Sequence, residues 1–172
     1  MEDKKLLIIG AGGHGRVVAE TAKTLGYEVA FLDDNNEEAI GKITDMGEFK
    51  DEYPYAFVGI GNNSFRADML KCLEQIGYQI PVLIHPTAYV SKTATIGKGT
   101  LIEPMAIVNT HSQIGEGTIV SVGAIVDHDT TIGVCAHVNA GAIVKAGGSI
   151  EPYEKLEAGE IRFGYENARV KK

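Results

Sequence analysis

The sequence predicts a Rossmann-like α/β half-domain followed by a left-handed parallel β-helix. Two observations carry the prediction. A glycine loop sits between an apolar run and a helical pattern near the N-terminus, and an aliphatic residue recurs at every sixth position from Ile84 to Leu156.

The first run, KLLIIGAG, is short, continuously apolar and ends in glycine, as a strand buried on both faces does. HGRVVAETAKTLGY then sets Val17, Val18, Ala22 and Leu25 at helical spacing, with Gly26 as the stop. EVAFLDDN supplies a second strand and YAFVGIGNN a third, separated by a polar connection from Glu37 to Tyr53. SFRADMLKCLEQIG predicts a second helix burying Phe65, Met69, Cys72, Leu73 and Ile76, with Asn63 or Ser64 as N-cap and Gly77 as stop. IPVLIH is expected as a fourth strand, closing a first domain over residues 1–84. Strands alternating with helices predict a parallel sheet.

From Ile84 the period becomes six, and thirteen successive positions ending at Leu156 are all aliphatic. Two places before them, from Ala88 to Gly148, stands a small residue each time. Three such hexads make one triangular coil, with the aliphatics stacked inside a narrow prism and the small residues in its corners. This winding runs against the usual right-handed crossover, so the period alone carries the handedness. Residues 18 apart become vertical neighbours, about 4.8 Å away. The β-helix is expected over residues 85–159, with 160–172 as a cap or tail.

Bulk properties narrow the partners. With 16 Lys and Arg against 23 Asp and Glu, the chain is acidic and shows no basic stripe for nucleic acid. Its longest apolar run falls far short of the roughly 18 residues of a membrane span, and MEDKK leads into a strand rather than a signal peptide, so a cytoplasmic protein is expected. Cys72 and Cys135 lie in separate segments and suggest neither a disulfide nor a zinc knot.

GAGGHG places Gly10, Gly12 and Gly15 in the G-x-G-x-x-G spacing, and the next strand ends in Asp33 and Asp34. Such a loop brings backbone N–H groups and a helix N-terminus to a diphosphate, with the acids beyond it for ribose or base. The plainer alternative is a tight strand-to-helix turn. Only one βαβαβ half fits before the hexads, which suits a nucleotide diphosphate such as a UDP-sugar better than a dinucleotide.

In VDHD, His128 lies between Asp127 and Asp129. It titrates in the range of a general base, and an adjacent carboxylate can fix its tautomer; either aspartate could serve. An exposed polar corner residue is the plainer alternative. His111, 18 residues before Asp129, should lie one coil below it and could compete for its carboxylate. His111, His128 and His137 occupy three different hexad positions, so no column of histidines, and no metal site, is expected.

Taken in order, GAGGHG, FLDD, VGIGNN followed by Arg66, LIHP, VDHD and AHVNAGA resemble the sugar acyltransferases of bacterial surface glycan synthesis. These are the UDP-4-amino-sugar N-acetyltransferases and the related sialic acid O-acetyltransferases. The resemblance covers residues 4 to about 147. It implies a homotrimer that binds a UDP-sugar in the N-terminal half and acetyl-CoA between neighbouring prisms, with no metal. By motif position, Gly10, Gly12, Gly13, His14 and Gly15 would meet the phosphates, Asp33 and Asp34 the uridine, and Gly61 and Asn62 the remaining ligand. His128 would be the base and Asp129 its orienting partner, while His137 and Gly141 would touch the acetyl-CoA arm or thioester carbonyl. The family's usual companion is glutamate, where this chain has Asp129.

Past Gly147 the family continues for further coils. Two readings follow. In one, an active acetyltransferase completes its groove with the neighbouring subunit, and Arg162, Arg169, Lys171 or Lys172 meets CoA phosphates. In the other, a nucleotide-sugar-binding trimer has weak or lost acetyl-CoA activity. Amine and hydroxyl acceptors need the same base, so N- and O-acetylation both stay open.

Overall fold

The computed structural model describes residues 4–165. The chain divides into two compact units with the boundary between Leu83 and Ile84.

In the first unit, strands β1 (Lys5–Ile9), β2 (Glu28–Leu32) and β3 (Tyr55–Val58) form a parallel sheet in the order β2-β1-β3. Helix α1 (Gly13–Thr24) follows β1, and α2 (Asn63–Ile76) follows β3. Leu6, Leu7, Ile8 and Ile9 are fully buried, which explains the unbroken apolar run of the central strand. The Asn62 side chain caps α2 by accepting the Phe65 N–H at 2.9 Å, and Gly77 ends that helix at φ +86°.

Two details depart from the predicted pattern. IPVLIH adds no fourth strand to this sheet: Gln79 makes a single parallel bridge to Tyr55, and Leu83–Ile84 is the first rung of the solenoid. Ile84 already obeys the six-residue beat, and that beat outweighs the local apolar run. On α2 the buried residues are Arg66, Ala67, Leu70 and Leu73, whereas Phe65 is exposed. The helix is rotated because the Arg66 guanidinium finds partners inside.

The second unit is a parallel β-helix of two-residue rungs from Leu83–Ile84 to Ile161–Arg162, stacked as sheets of five, five and four strands. From Ile84 to Leu156 the second residue of each rung packs into the core. Ile102, Val108, Val120, Val126, Val138, Val144 and Leu156 are fully buried in one continuous core. Ile161–Arg162 extends the stack into the segment expected as a cap, and Arg162 there pairs with Glu154.

Between rungs the chain turns on a fixed plan. Positive φ recurs at every sixth residue from Gly99 to Gly159, including His111, Asp129 and Cys135. The next residue closes a four-residue turn, as where the Ala124 N–H donates to Ser121 O at 3.0 Å. This is the type II pattern, with the left-handed conformation at its third position. Thr100, Ser112, Thr118 and Thr130 fill corners at zero exposure. Their hydroxyls stay satisfied: Thr118 donates to Gly133 O at 3.1 Å, and Ser112 donates to Asp127 O at 2.8 Å.

Among the described residues no helix is long and apolar enough to cross a membrane, and no group of three His, Cys, Asp or Glu side chains could hold a metal ion.

Candidate functional site

The glycine loop opens a cleft of about 380 Å³. Gly10, Gly12, Gly13, His14, Asp33, Asp34 and Gly61 all line it, whereas Gly15 and Asn62 are not among its walls. The glycines divide their work. Gly10 has φ +99°, a conformation that side chains resist. Gly15 packs α1 onto the loop, since a Cβ there would stand 2.0 Å from Gly10 O. Gly12, Gly13 and Gly61 face open space, so their bareness serves close approach from the cleft rather than packing. Asn62 is occupied as the cap of α2.

Asp33 is held by the backbone. Its carboxylate accepts the Ala11 N–H at 2.8 Å and the Asn35 N–H at 2.9 Å. The Ala11 bond, followed by that of Asn35, keeps its pKa below the usual carboxylate range. Asp33 therefore braces the glycine loop against the end of β2. Asp34 accepts the Ile43 N–H at 3.1 Å and anchors the next wall of the cleft.

Arg66, in the sequence only part of a motif, has a structural task. The guanidinium, 1% exposed, donates to Ile60 O at 3.0 Å, Gly61 O at 3.2 Å and Asn63 Oδ1 at 2.8 Å. It pins the carbonyls of the β3–α2 loop inward and fixes the wall formed by Ile60 and Gly61. An arginine three residues past the Asn-Asn pair was the only signal, and exposure is the normal state for that residue type.

In the second unit, His128 and Asp129 form the middle of one turn. His128 Nδ1 lies 2.7 Å from Asp129 Oδ2, and Asp129 adopts φ +56°, which aspartate tolerates better than most residues. Asp127 is not the partner. Its Oδ1 accepts the His128 N–H at 2.7 Å and the Asn109 side-chain N–H at 3.1 Å, which stiffens the turn. The bond to Asp129 raises the His128 pKa above the ordinary histidine range, helped by the negative charge of Asp127. In the neutral ring, with Nδ1–H donated to Asp129, Nε2 carries the lone pair. His111 sits in the Asp129 column, where its backbone N–H donates to Thr93 Oγ1 at 3.1 Å.

His137 is the outward residue of the rung His137–Val138, and its ring reaches another corner. Its Nε2 lies 2.9 Å from Ser121 Oγ, and Gly141 follows in the next turn at φ +64°. One coil below Ser121 stands Glu103, only 7% exposed, accepting the Val122 N–H at 2.9 Å. Burial pushes the Glu103 pKa up, against the pull of the Val122 N–H and the Ser121 hydroxyl. Neither Glu103 nor Ser121 was legible as part of the site, because both occupy turn positions where any polar residue suits the period.

Between the two histidine corners runs one face of the prism. Its outward file is Tyr89, Ile107, Ile125, Ile143 and Ile161, all apolar. On the four-stranded face, the outward file of Thr95, Gln113, Thr131 and Ser149 is polar and exposed.

Residues 5–73 match the family described as the PglD N-terminal domain. The whole fold matches the acetyltransferase domain of PglB from Neisseria gonorrhoeae, solved in complex with acetyl coenzyme A, with a TM-score of 0.88 and 36% identity over 92% of this chain and 82% of that one. The chain belongs to this sugar acetyltransferase family. Its solenoid is the left-handed parallel β-helix of these enzymes, as the hexad period predicts. PerB from Caulobacter crescentus, solved with CoA and GDP-perosamine, has a TM-score of 0.82 and 27% identity over 93% of this chain and 89% of that one. UDP-N-acetylbacillosamine N-acetyltransferase of Bacillus subtilis is 34% identical over 109 residues, which are 57% of this chain and 50% of the relative. The chain thus spans half the length of that curated relative.

Proposed function

We propose that the protein is an acetyl-CoA-dependent N-acetyltransferase acting on the amino group of a UDP-linked 4-amino-sugar, with His128 as the base. The observation that carries this reading is the 2.7 Å His128–Asp129 pair, set on a fold shared with an acetyl-CoA complex. The acceptor amine attacks the thioester carbonyl and Nε2 of His128 takes its proton. The tetrahedral intermediate then collapses, the C–S bond breaks, and the departing CoA sulfur takes the proton back from the imidazolium. Asp129 holds the ring in the tautomer that leaves Nε2 free to accept and stabilises the charge that forms. Cys135 is 3% exposed and offers no nucleophile for an acyl-enzyme.

The relatives' names support a nucleotide-linked amino-sugar as the acceptor and CoA as the donor carrier. In the cleft, Gly12, Gly13 and the N-terminus of α1 receive the diphosphate together with His14, Gly61 lies at the sugar side, and Asp34 at the base. Asp33 acts on the nucleotide through the loop it braces, and Gly10, Gly15 and Asn62 act through the backbone they shape. His137, braced by Ser121, and Gly141 meet the acyl donor. The apolar file from Tyr89 to Ile161 supports a homotrimer, because a second copy covering that face would bring a partner surface to both histidine corners.

Calorimetry with acetyl-CoA and with a UDP-4-amino-sugar tests the binding half of this reading. Saturable binding of both is expected; an absence of acetyl-CoA binding at millimolar concentration overturns the enzyme and leaves a sugar-binding protein.

The pH profile of kcat tests the base. His128 is a base only when neutral, and Asp129 raises its pKa, so kcat falls as pH drops through a midpoint above the ordinary histidine value. Asp129→Asn should lower kcat and move that midpoint to lower pH. The stability carried by the pair runs the other way, being present at low pH and lost as pH rises through the folded-state pKa. A midpoint unchanged in Asp129→Asn contradicts the assignment.

A further inference from the structure

Beyond the last rung, Tyr165 returns to His128. Asp129, Gly147 and Tyr165 stand 18 residues apart and so share one column, and the middle residue has no side chain. The Gly147 N–H donates to His128 O at 3.1 Å, and the Tyr165 N–H donates to Ala146 O at 3.1 Å. Gly164 allows this docking, since a Cβ on it would stand 2.0 Å from Ala146 O. Gly147 allows the ring to descend, since a Cβ there would meet Tyr165 Cε1 at 2.2 Å and Cζ at 2.4 Å. The phenol thus fills the gap over Gly147 and faces the imidazole, with centroids 6.5 Å apart and planes tilted by 47°. It remains 52% exposed.

Resting on the reading of His128 as the base, we propose that Tyr165 is a specificity-determining residue for the acceptor, an aromatic platform for the sugar ring. A sugar ring between two stacked rings would need about 7–8 Å, twice the ordinary contact distance. The wedge therefore admits only the amine, and the body of the sugar lies against the open side of the phenol, C–H face to ring. An aromatic side chain offers that apolar face together with a hydroxyl at its rim. Because Nε2 of His128 meets the acceptor amine before it returns the proton to the departing sulfur, the group beside it bears first on the acceptor.

The test measures calorimetric affinity for a UDP-4-amino-sugar and for acetyl-CoA, together with both KM values, in wild type, Tyr165→Phe and Tyr165→Ala. Tyr165→Ala should weaken sugar binding and raise the sugar KM by about tenfold, and leave acetyl-CoA within about twofold. Tyr165→Phe should stay close to wild type, because the ring is retained. Gly147→Ala, which displaces the ring, should follow Tyr165→Ala. Unchanged sugar affinity in Tyr165→Ala, or a loss that falls on acetyl-CoA instead, overturns the proposal. Failure of the enzymatic reading shows separately, as a wild type that does not bind acetyl-CoA, and the sugar affinities still decide the role of Tyr165.

Discussion

His128→Ala should lower kcat by about 10²–10⁴-fold, the range for removal of a positioned general base. The fold should barely notice. The His128 side chain is 44% exposed, its partner Asp129 is equally exposed, and neither belongs to the prism core. Surface substitutions of this kind usually leave stability nearly unchanged. The KM for acetyl-CoA should stay near wild type, because the base is assigned to the acceptor. Release of free CoA thiol, followed under saturating substrates alongside thermal unfolding, separates the two effects. A kcat within threefold of wild type would remove His128 from the mechanism, and a large drop in Tm would make it structural.

Gly133→Ala should cost the solenoid heavily in stability. A Cβ there would lie 2.3 Å from Pro152 N and 2.6 Å from the carbonyl carbon of Glu151, both backbone atoms of the next coil. No rotamer relieves such an overlap. The coils must part, which strains the 2.8 Å bond from the Gly133 N–H to Ile150 O and the pairing of Ile132 with Ile150. A cost of about 3–5 kcal/mol is expected, or roughly 10 °C in Tm for a chain of this size. Gly123→Ala is the control: its φ is +65° but nothing lies within 4 Å, so only backbone strain of about 1–2 kcal/mol is added. Equal effects from the two would refute coil-to-coil contact as the cause.

What the sequence revealed, it revealed through period. Thirteen aliphatics at six-residue spacing locate the core from Ile84 to Leu156, and the same count sets His128 and Asp129 on an outer turn. What it hid depends on contacts across coils or loops. Asp33 reads as a ligand acid by its position after β2, and its further task, accepting the Ala11 and Asn35 N–H groups, shows only in the fold. Asn62 reads as a ligand residue and caps a helix, while Arg66, only part of a motif in the sequence, is the buried clasp of the cleft wall. Glu103 obeys the same turn spacing as residues in open solvent, and only its burial sets it apart. Tyr165 gains its place through two glycines, Gly147 and Gly164, whose meaning appears only once coils are stacked. Arg169, Lys171 and Lys172, suggested for CoA phosphates, lie outside the described residues, and Arg162 is paired with Glu154.

Direct transfer of acetyl from CoA to a nucleotide-linked amine at His128 ties thiol release to acetylation of the sugar. Incubation of wild-type protein with acetyl-CoA and a UDP-4-amino-sugar tests it, with free CoA thiol and acetylated sugar both counted. One thiol per acetylated sugar, with release that depends on the sugar and nearly vanishes in His128→Ala, is the predicted result. Thiol release that proceeds equally without the sugar, or sugar that returns unacetylated, would contradict it.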